Sequence, residues 1–335
     1  MIKVLIVDDS ISIQRMLSKI INSTQGMTVI GTAGNPYEAI KILKINKPDV
    51  ITLDIEMPGM SGISFLKKLM TNMPIPVVMI SSLTQKGADA TIEALSIGAI
   101  DFIGKKSLKT KEERKAFVEE LRSKIKNAAN AGTKHYSLSS PKVSNRSNLA
   151  HNKSIIAIGA STGGVQALNQ LIKKFPKVTP PILIVQHMPE YFTKAFASTL
   201  NRISKISVKE AENGEVIENN TAYIAPGNYH MGLKKIGSNY KIELSQKPKV
   251  NRHRPSVDYT FHSVGNYFTS NAIAILLTGM GDDGARGMKF LKNKGVLTIA
   301  ESEESAIIFG MPQKAIQLKA VDYVLALEHM VKYLF

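Results

Sequence analysis

Two successive aspartates, Asp8 and Asp9, close the apolar run IKVLIV (2–7), and a third, Asp54, closes DVITLD (49–54). Carboxylates brought together repel one another unless a cation lies between them, and an all-oxygen donor set suits a hard divalent ion such as Mg²⁺. Ser81 ends PVVMIS (76–81), and Lys105 follows AIDFIG (99–104). A lysine ammonium can neutralise a phosphoryl group on Asp54, and a hydroxyl can hydrogen-bond to it, so these five residues make a phosphoacceptor set. An acidic pair at one strand end would serve equally well as a helix cap. The five types in this arrangement are more specific.

The second half carries a different chemistry. SIIAIGAS runs into a G-x-S-x-G motif formed by Gly159, Ser161 and Gly163. Glycines at these positions permit a sharp turn that exposes a serine oxygen above a sheet, and a helix starting there offers N–H groups to an oxyanion. Taken alone, the motif leaves a hydrolase, a phosphate loop and a plain turn open. It lacks both the G-x-G-x-x-G spacing and the P-loop lysine. His187 directly follows the apolar PILIVQ, and Asp282 and Asp283 follow NAIAILLTG (271–279). If all three runs are parallel strands, they deliver serine, histidine and acid to one sheet edge, as a nucleophile, its base and an orienting carboxylate require. The chain order Ser, His, Asp differs from the Ser, Asp/Glu, His order of α/β-hydrolases.

The elements that must hold these groups are legible as alternating patterns. Five short apolar runs (2–7, 27–32, 49–54, 76–81, 99–104) are separated by helix-like stretches at 11–22, 36–46, 62–72 and 85–96, with a charged helix from about 110 to 127. Five βα units predict an open parallel sheet covered on both faces. Between about 128 and 152 the pattern gives way to a Ser-, Asn-, Ala- and Lys-rich stretch that reads as a flexible linker. Strand-like runs resume at 154–161, 181–187, 221–227, 271–279 and 296–302, predicting a second α/β domain. No fixed-period repeat or heptad run is present.

Composition sets the outer bounds. A chain of 335 residues suits two domains, and 44% hydrophobic with 21% charged residues is ordinary for globular proteins. The absence of cysteine excludes disulfides, thiolate nucleophiles and cysteine-ligated zinc, and fits a reducing compartment. The first residues, MIKVLIVDDS, do not have the form of a signal peptide, and no run reaches the roughly 20 apolar residues of a membrane span. A cytoplasmic protein is expected. The formal charge of +16 raises nucleic acid as a partner. The surplus is mostly scattered lysine without an arginine-rich block, which reads as solvated surface, so no nucleic-acid binding is expected.

Two resemblances follow from these motifs. VDDS, LDIEMPGMSG, VVMISS and GAIDFIGK resemble, in order and spacing, the bacterial response-regulator receiver family over residues 1–124. That resemblance implies a flavodoxin-like doubly wound sheet, Asp54 as phosphorylated residue, Asp8, Asp9 and Asp54 as Mg²⁺ ligands, Ser81 and Phe102 as switch residues, and Lys105 on the phosphoryl group. Lys106 stands where the family usually has a proline, commonly after a cis peptide, which bears on the placement of Lys105. GASTGG, QHMPEYFT, APGNYHM, NRHRPSVDYTF, LLTGMGDDGA and FGMP resemble the catalytic domain of the CheB chemotaxis methylesterases over residues 153–335, with 125–152 as the connecting linker.

The second resemblance implies a Rossmann-like parallel-sheet domain with Ser161 as nucleophile, His187 as base and Asp283, rather than Asp282, as orienting acid. Backbone N–H groups of Thr162 and Met280 would serve the oxyanion, and the esterase chemistry would need no cofactor. It also implies the function: hydrolysis of glutamate methyl esters on methyl-accepting chemoreceptors, deamidation of certain receptor glutamines, and activation by phosphoryl transfer from a CheA-type histidine kinase. His230, Arg252, His253, Arg254 and Asp258, in the APGNYHM and NRHRPSVD loops, are assigned structural or substrate-shaping roles. His135, His151, His262 and His329 are assigned none. The competing readings are a receiver with a DNA-binding output, which demands a helix-turn-helix, and a receiver-linked binding module without catalysis.

Overall fold

The computed structural model describes residues 1–105, 108–131, 150 and 153–335. The chain divides into two compact units, Met1–His135 and Tyr136–Phe335. In the first, β1 (Ile2–Val7), α1 (Ile11–Asn22), β2 (Met27–Ala33), α2 (Pro36–Ile45), β3 (Val50–Asp54), α3 (Gly62–Asn72), β4 (Val77–Ser82), α4 (Gln85–Ile97), β5 (Asp101–Lys105) and α5 (Lys111–Ala131) alternate strictly. The strands form one parallel sheet in the order β2-β1-β3-β4-β5. This is the flavodoxin-like order, whose ligand sites lie at the carboxyl edge.

Local chemistry explains the boundaries. Ser10, Asn35, Ser61 and Thr84 each accept a backbone N–H of the helix they precede, satisfying a donor that the first turn leaves unpaired. Pro36 opens α2, where a missing N–H costs nothing. The central strand β3 is buried along its whole length, as a parallel strand covered on both faces must be. One boundary differs from expectation. α5 runs on to Ala131, beyond the domain end expected at 124, because Ile125, Ala128 and Ala131 continue its buried stripe. The remainder of the expected linker lies outside the described residues apart from the buried Ala150. So do Lys106, His135 and His151.

The second unit contains β6 (Ile155–Ala160), α6 (Gly164–Lys173), β7 (Ile182–Gln186), α7 (Phe192–Ile203), β8 (Ser207–Glu210), β9 (Thr221–Ile224), β10 (His230–Ile236), β11 (Asn239–Ser245), α8 (Val257–Tyr267), β12 (Ala272–Leu276), α9 (Ala285–Asn293), β13 (Leu297–Glu301), α10 (Met311–Gln317), β14 (Tyr323–Leu325) and α11 (Leu327–Leu334). Seven strands form a parallel sheet in the order β14-β13-β12-β6-β7-β9-β8. The chain builds outward from β6 on one side, then returns to build outward from β12 on the other. The topological switch therefore lies between β6 and β12, where open α/β sheets place their sites.

Successive residues of β6 face opposite sides, so Ile155 and Ala157 join Phe261, Met288 and Leu291 in the core on one face, while Ile156 and Ile158 are buried on the other. The antiparallel hairpin β10–β11 and the edge strands β8 and β14 are additions to the sequence reading. No helix among the described residues is long and apolar enough to cross a membrane.

Candidate active site and phosphoacceptor pocket

Ser161 follows β6 directly. Its N–H is donated to the carbonyl of Thr278 beyond β12, and its carbonyl accepts from the side-chain amide of Gln186 at the end of β7. The turn after it depends on Gly163, whose φ of +80° places it in the left-handed region. A Cβ there would lie 2.7 Å from Ile307 Cβ, so both conformation and space demand glycine. The hydroxyl of Thr278 donates to the carbonyl of Thr162 at 3.0 Å and accepts from Ile308 N–H at 2.9 Å. Three strand ends thus grip the Ser161 turn from both sides of the switch point.

Ser161, His187 and Asp283 converge. Nδ1 of His187 lies 3.1 Å from Ser161 Oγ, and Nε2 lies 2.8 Å from Asp283 Oδ2. The ring is turned opposite to the serine-protease template, in which Nε2 faces the serine. Asp283, buried, fixes the tautomer: an acceptor-only carboxylate accepts a hydrogen bond from Nε2–H and so leaves Nδ1 unprotonated, able to accept from the serine hydroxyl.

The surroundings of Asp283 were only partly legible. Ser256 Oγ donates to its Oδ1 at 2.8 Å, Val257 N–H to its Oδ2 at 2.7 Å, Asp258 N–H to its Oδ1 at 3.1 Å, and Asn251 Nδ2 to its Oδ1 at 2.8 Å. The N-terminus of α8 is therefore aimed at a carboxylate, and its unpaired N–H groups and dipole favour the negative charge. Burial works to raise the Asp283 pKa, but hydrogen bonds and charge from His187, with Asn251 and Val257 N–H, outweigh it and hold the carboxyl well below its usual range. α8 can come so close because Gly159 has no side chain: a Cβ there would meet Val257 Cγ1 at 2.3 Å.

Ser256 carried a sequence signal, as an N-cap residue before a helix. Asn251 carried none. It reaches Asp283 from a tight turn, Val250–His253, closed by reciprocal backbone hydrogen bonds and with positive φ at both Asn251 (50°) and Arg252 (68°).

The other expected residues fall around this centre. Asp258 accepts Gly287 N–H and Asn251 Nδ2, so it braces α8 against α9 and holds Asn251; burial raises its pKa. His230 is buried, contacts the Pro248 carbonyl and stacks on Tyr259. Arg254 donates to Asn228 Oδ1 and to the carbonyls of Gln246 and Lys247. His253 stacks on His187. Gly279 packs against Ser161, a Cβ at 279 lying 2.8 Å from Ser161 Cβ. Asp282 is exposed. His262 bonds within α8 and His329 pairs with Glu328, away from this chemistry.

Glu301 at the end of β13 is fully buried, and its carboxylate accepts Thr278 N–H at 2.7 Å and Ser305 Oγ at 3.0 Å. Burial pushes its pKa up to about 7. The native state therefore binds this proton more tightly than the unfolded chain, so stability falls as pH rises from the ordinary glutamate range towards 7, and the penalty is complete above that. Glu301→Gln is expected to raise unfolding free energy at about pH 8 by on the order of 3 kcal/mol, with the gain shrinking towards pH 5. Urea unfolding of parent and variant at several pH values measures this, and a pH-independent difference would contradict it.

In the first unit, the carboxylate oxygens of Asp8, Asp9 and Asp54 lie within 4.8 Å of one another. Asp8 Oδ2 is buried and, among the described residues, meets no hydrogen-bond donor other than the Lys105 ammonium of its ion pair, which leaves lone-pair capacity for a metal ion. Lys105 Nζ lies 2.7 Å from Asp54 Oδ2 and 3.3 Å from Asp8 Oδ2. Burial raises the Asp54 pKa against the pull of Lys105, while burial of Lys105 is outweighed by Asp54 and Asp8, which raise its own. An all-carboxylate set of this span fits Mg²⁺. Ser81 Oγ donates to the carbonyls of Ser82 and Gly87 and accepts from Thr91, so it is engaged with α4. Phe102 is buried, with Lys124 Nζ 5.0 Å from its ring centre.

Comparison with known proteins agrees with both halves. Residues 156–334 match the CheB methylesterase family model, and residues 4–116 match the response regulator receiver domain model. Protein-glutamate methylesterase/protein-glutamine glutaminase from Salmonella typhi is 46% identical over 330 residues, 98% of this chain and 95% of the relative. The protein of the same name from Escherichia coli strain K12 has the same identity and coverage. The crystal structure of the Thermotoga maritima CheB methylesterase catalytic domain superposes with a TM-score of 0.53 at 40% identity, covering 54% of this chain and 97% of that one. A receiver sheet and a seven-stranded catalytic sheet, carried in this order with identity spread over nearly the whole length, place the chain in the CheB family of receiver-linked protein-glutamate methylesterases.

Proposed function

We propose that this chain hydrolyses glutamate methyl esters on chemoreceptors, releasing methanol, and deamidates specific receptor glutamines, with Ser161, His187 and Asp283 as its catalytic residues. The observation that carries this reading is the continuous hydrogen-bonded line from Ser161 Oγ through both nitrogens of His187 to Asp283.

Ser161 Oγ attacks the ester carbonyl carbon while His187 Nδ1 takes its proton, and Asp283 stabilises the imidazolium. Backbone N–H groups of Thr162 and Met280 face the resulting oxyanion. Collapse breaks the bond to the methoxy oxygen, which leaves as methanol with the proton from Nδ1. Water then attacks the glutamyl-serine ester, giving its proton to Nδ1, and the glutamate carboxylate departs as that proton returns to Ser161. With a glutamine side chain the same steps expel ammonia.

Asp54 accepts a phosphoryl group from a histidine kinase, and this raises the esterase rate. Asp8, Asp9 and Asp54 would hold Mg²⁺, which supplies charge neutralisation for the incoming phosphoryl oxygens. Lys105, already paired with Asp54, meets the phosphoryl group, and Ser81 and Phe102 report its presence by shifting from their present contacts. The reaction belongs in the cytoplasm, where the kinase and the receptor's signalling helices meet it.

Methanol release from methylated receptor membranes, with and without a small phosphodonor, tests both halves. Release is expected in both conditions and faster with phosphodonor. Asp54→Asn should leave equal rates with and without it, and acceleration persisting in this variant would overturn the receiver mechanism.

A further inference from the structure

His253 sits one residue beyond the positive-φ pair that brings Asn251 to Asp283, and its backbone closes that turn. Its side chain does something separate. The imidazole lies flat over that of His187, with ring centroids 3.7 Å apart and planes inclined by 6°. Neither ring nitrogen has a hydrogen-bond partner among the described residues, so the ring acts through its face.

We propose that His253 is a positioning residue for the esterase reaction, holding the His187 ring in line between Ser161 and Asp283 and presenting a neutral aromatic face to the imidazolium that forms there. The proposal rests on the reading of Ser161, His187 and Asp283 as the catalytic residues.

The need for such a device follows from the soft torsion of an imidazole. The sp³–sp² rotation about Cβ–Cγ has a broad minimum, so a swing that lengthens both hydrogen bonds of His187 meets little intrinsic resistance. A parallel ring at van der Waals distance blocks that swing on one side and keeps water from that face. The same face suits the charge change: when His187 takes the Ser161 proton, an adjacent uncharged π-system attracts the cation. A charged partner would repel it. Burial, followed by the charge of His187, pushes the His253 pKa down to about 3 against the pull of Asp283, so His253 stays neutral while His187 cycles. The neighbouring Arg252 and Lys249 act in the same direction.

The test compares His253→Ala, His253→Phe and His253→Gln in the full chain with two readouts. One is kcat and KM for methanol release from methylated receptor membranes. The other is the rate at which a fluorophosphonate labels Ser161, which reports nucleophile activation without assuming the physiological ester. His253→Ala is expected to lower kcat and the labelling rate roughly 10- to 100-fold with KM held within about 2-fold, the scale of a misplaced catalytic group. Phenylalanine, which stacks but neither titrates nor hydrogen-bonds, should restore both rates to within about 3-fold of the parent, while glutamine should not.

Parent-like rates in His253→Ala, a change in KM alone, or recovery by glutamine but not phenylalanine would overturn the proposal. The Phe–Gln comparison decides the matter even if the alanine variant fails to fold, with thermal midpoints recorded for all three. If labelling follows the expected order while the parent releases no methanol, the stacking role stands and the ester assignment falls.

Discussion

Ser161→Ala is expected to lower methanol release by about 10⁶-fold in kcat, to the level that binding and oxyanion donors alone sustain. The size of the effect follows from chemistry that no neighbour can replace. Without Oγ there is no acyl-enzyme, and water would have to attack the ester from a site shaped for a covalent intermediate. The fold should survive. Ser161 is held by its backbone N–H to Thr278 and its carbonyl to Gln186, and alanine keeps both. Methanol release, mass spectrometry for a trapped acyl-enzyme and a thermal melt separate loss of chemistry from loss of structure. Retained turnover in a folded Ser161→Ala protein would remove serine from the nucleophile role.

Asp283→Asn is expected to cost about 10⁴-fold in kcat, through the wrong histidine tautomer. The carboxylate accepts from His187 Nε2, Asn251 Nδ2, Ser256 Oγ and the backbone N–H groups of Val257 and Asp258. An asparagine has one oxygen for this crowd of donors, so its NH₂ must turn towards some of them. The α8 N-terminus and Asn251 compete for the oxygen. When they win, the amide N–H points at Nε2, which must then accept, and the proton moves to Nδ1. A protonated Nδ1 cannot receive the Ser161 proton. Stability should fall as well, since a charge-assisted hydrogen bond is roughly twice as strong as a neutral one. Kinetics with thermal melts measure the two effects, and a variant within 10-fold of the parent in kcat would contradict this account of Asp283.

The relation between the two variants is itself informative. A carboxylate that merely stabilised the domain would reduce folded protein and leave kcat per folded molecule intact. An orienting carboxylate lowers kcat in molecules that are fully folded, as the tautomer argument requires.

Much of this protein was legible along the chain. The five strand-forming runs of the receiver coincide with β1 to β5, most plainly for β3 and β4, which are buried on both faces and so read as near-continuous apolar runs. The candidate site groups could be located for the same reason. A residue that ends such a run lies at the sheet's carboxyl edge, so Asp8, Asp54, Ser161 and His187 could be placed before any contact was known. β8, β10 and β11 were missed because SVKE, HMGLKKI and NYKIELS are edge or hairpin segments in which polar residues facing water interrupt the apolar signal, and β14 because YVL is only three residues long. α5 was ended at about 127 because its buried positions beyond that point, Ala128 and Ala131, are small alanines, which carry little hydrophobic weight.

Amino-acid order by itself determined which chemistries the two halves hold, since residue types and strand ends are local properties. Tertiary structure alone decided how the triad is held: that α8 points its first N–H groups at Asp283, that a positive-φ turn brings Asn251 to the same carboxylate, and that Nδ1 rather than Nε2 faces Ser161. It also decided that Glu301 is buried without a cation among the described residues and that His253 lies on His187. The physical reason is distance along the chain. These contacts join segments tens of residues apart, and they exist only once Gly159 lets Val257 dock on β6 and the switch point gathers β6, β7 and β12 at one edge.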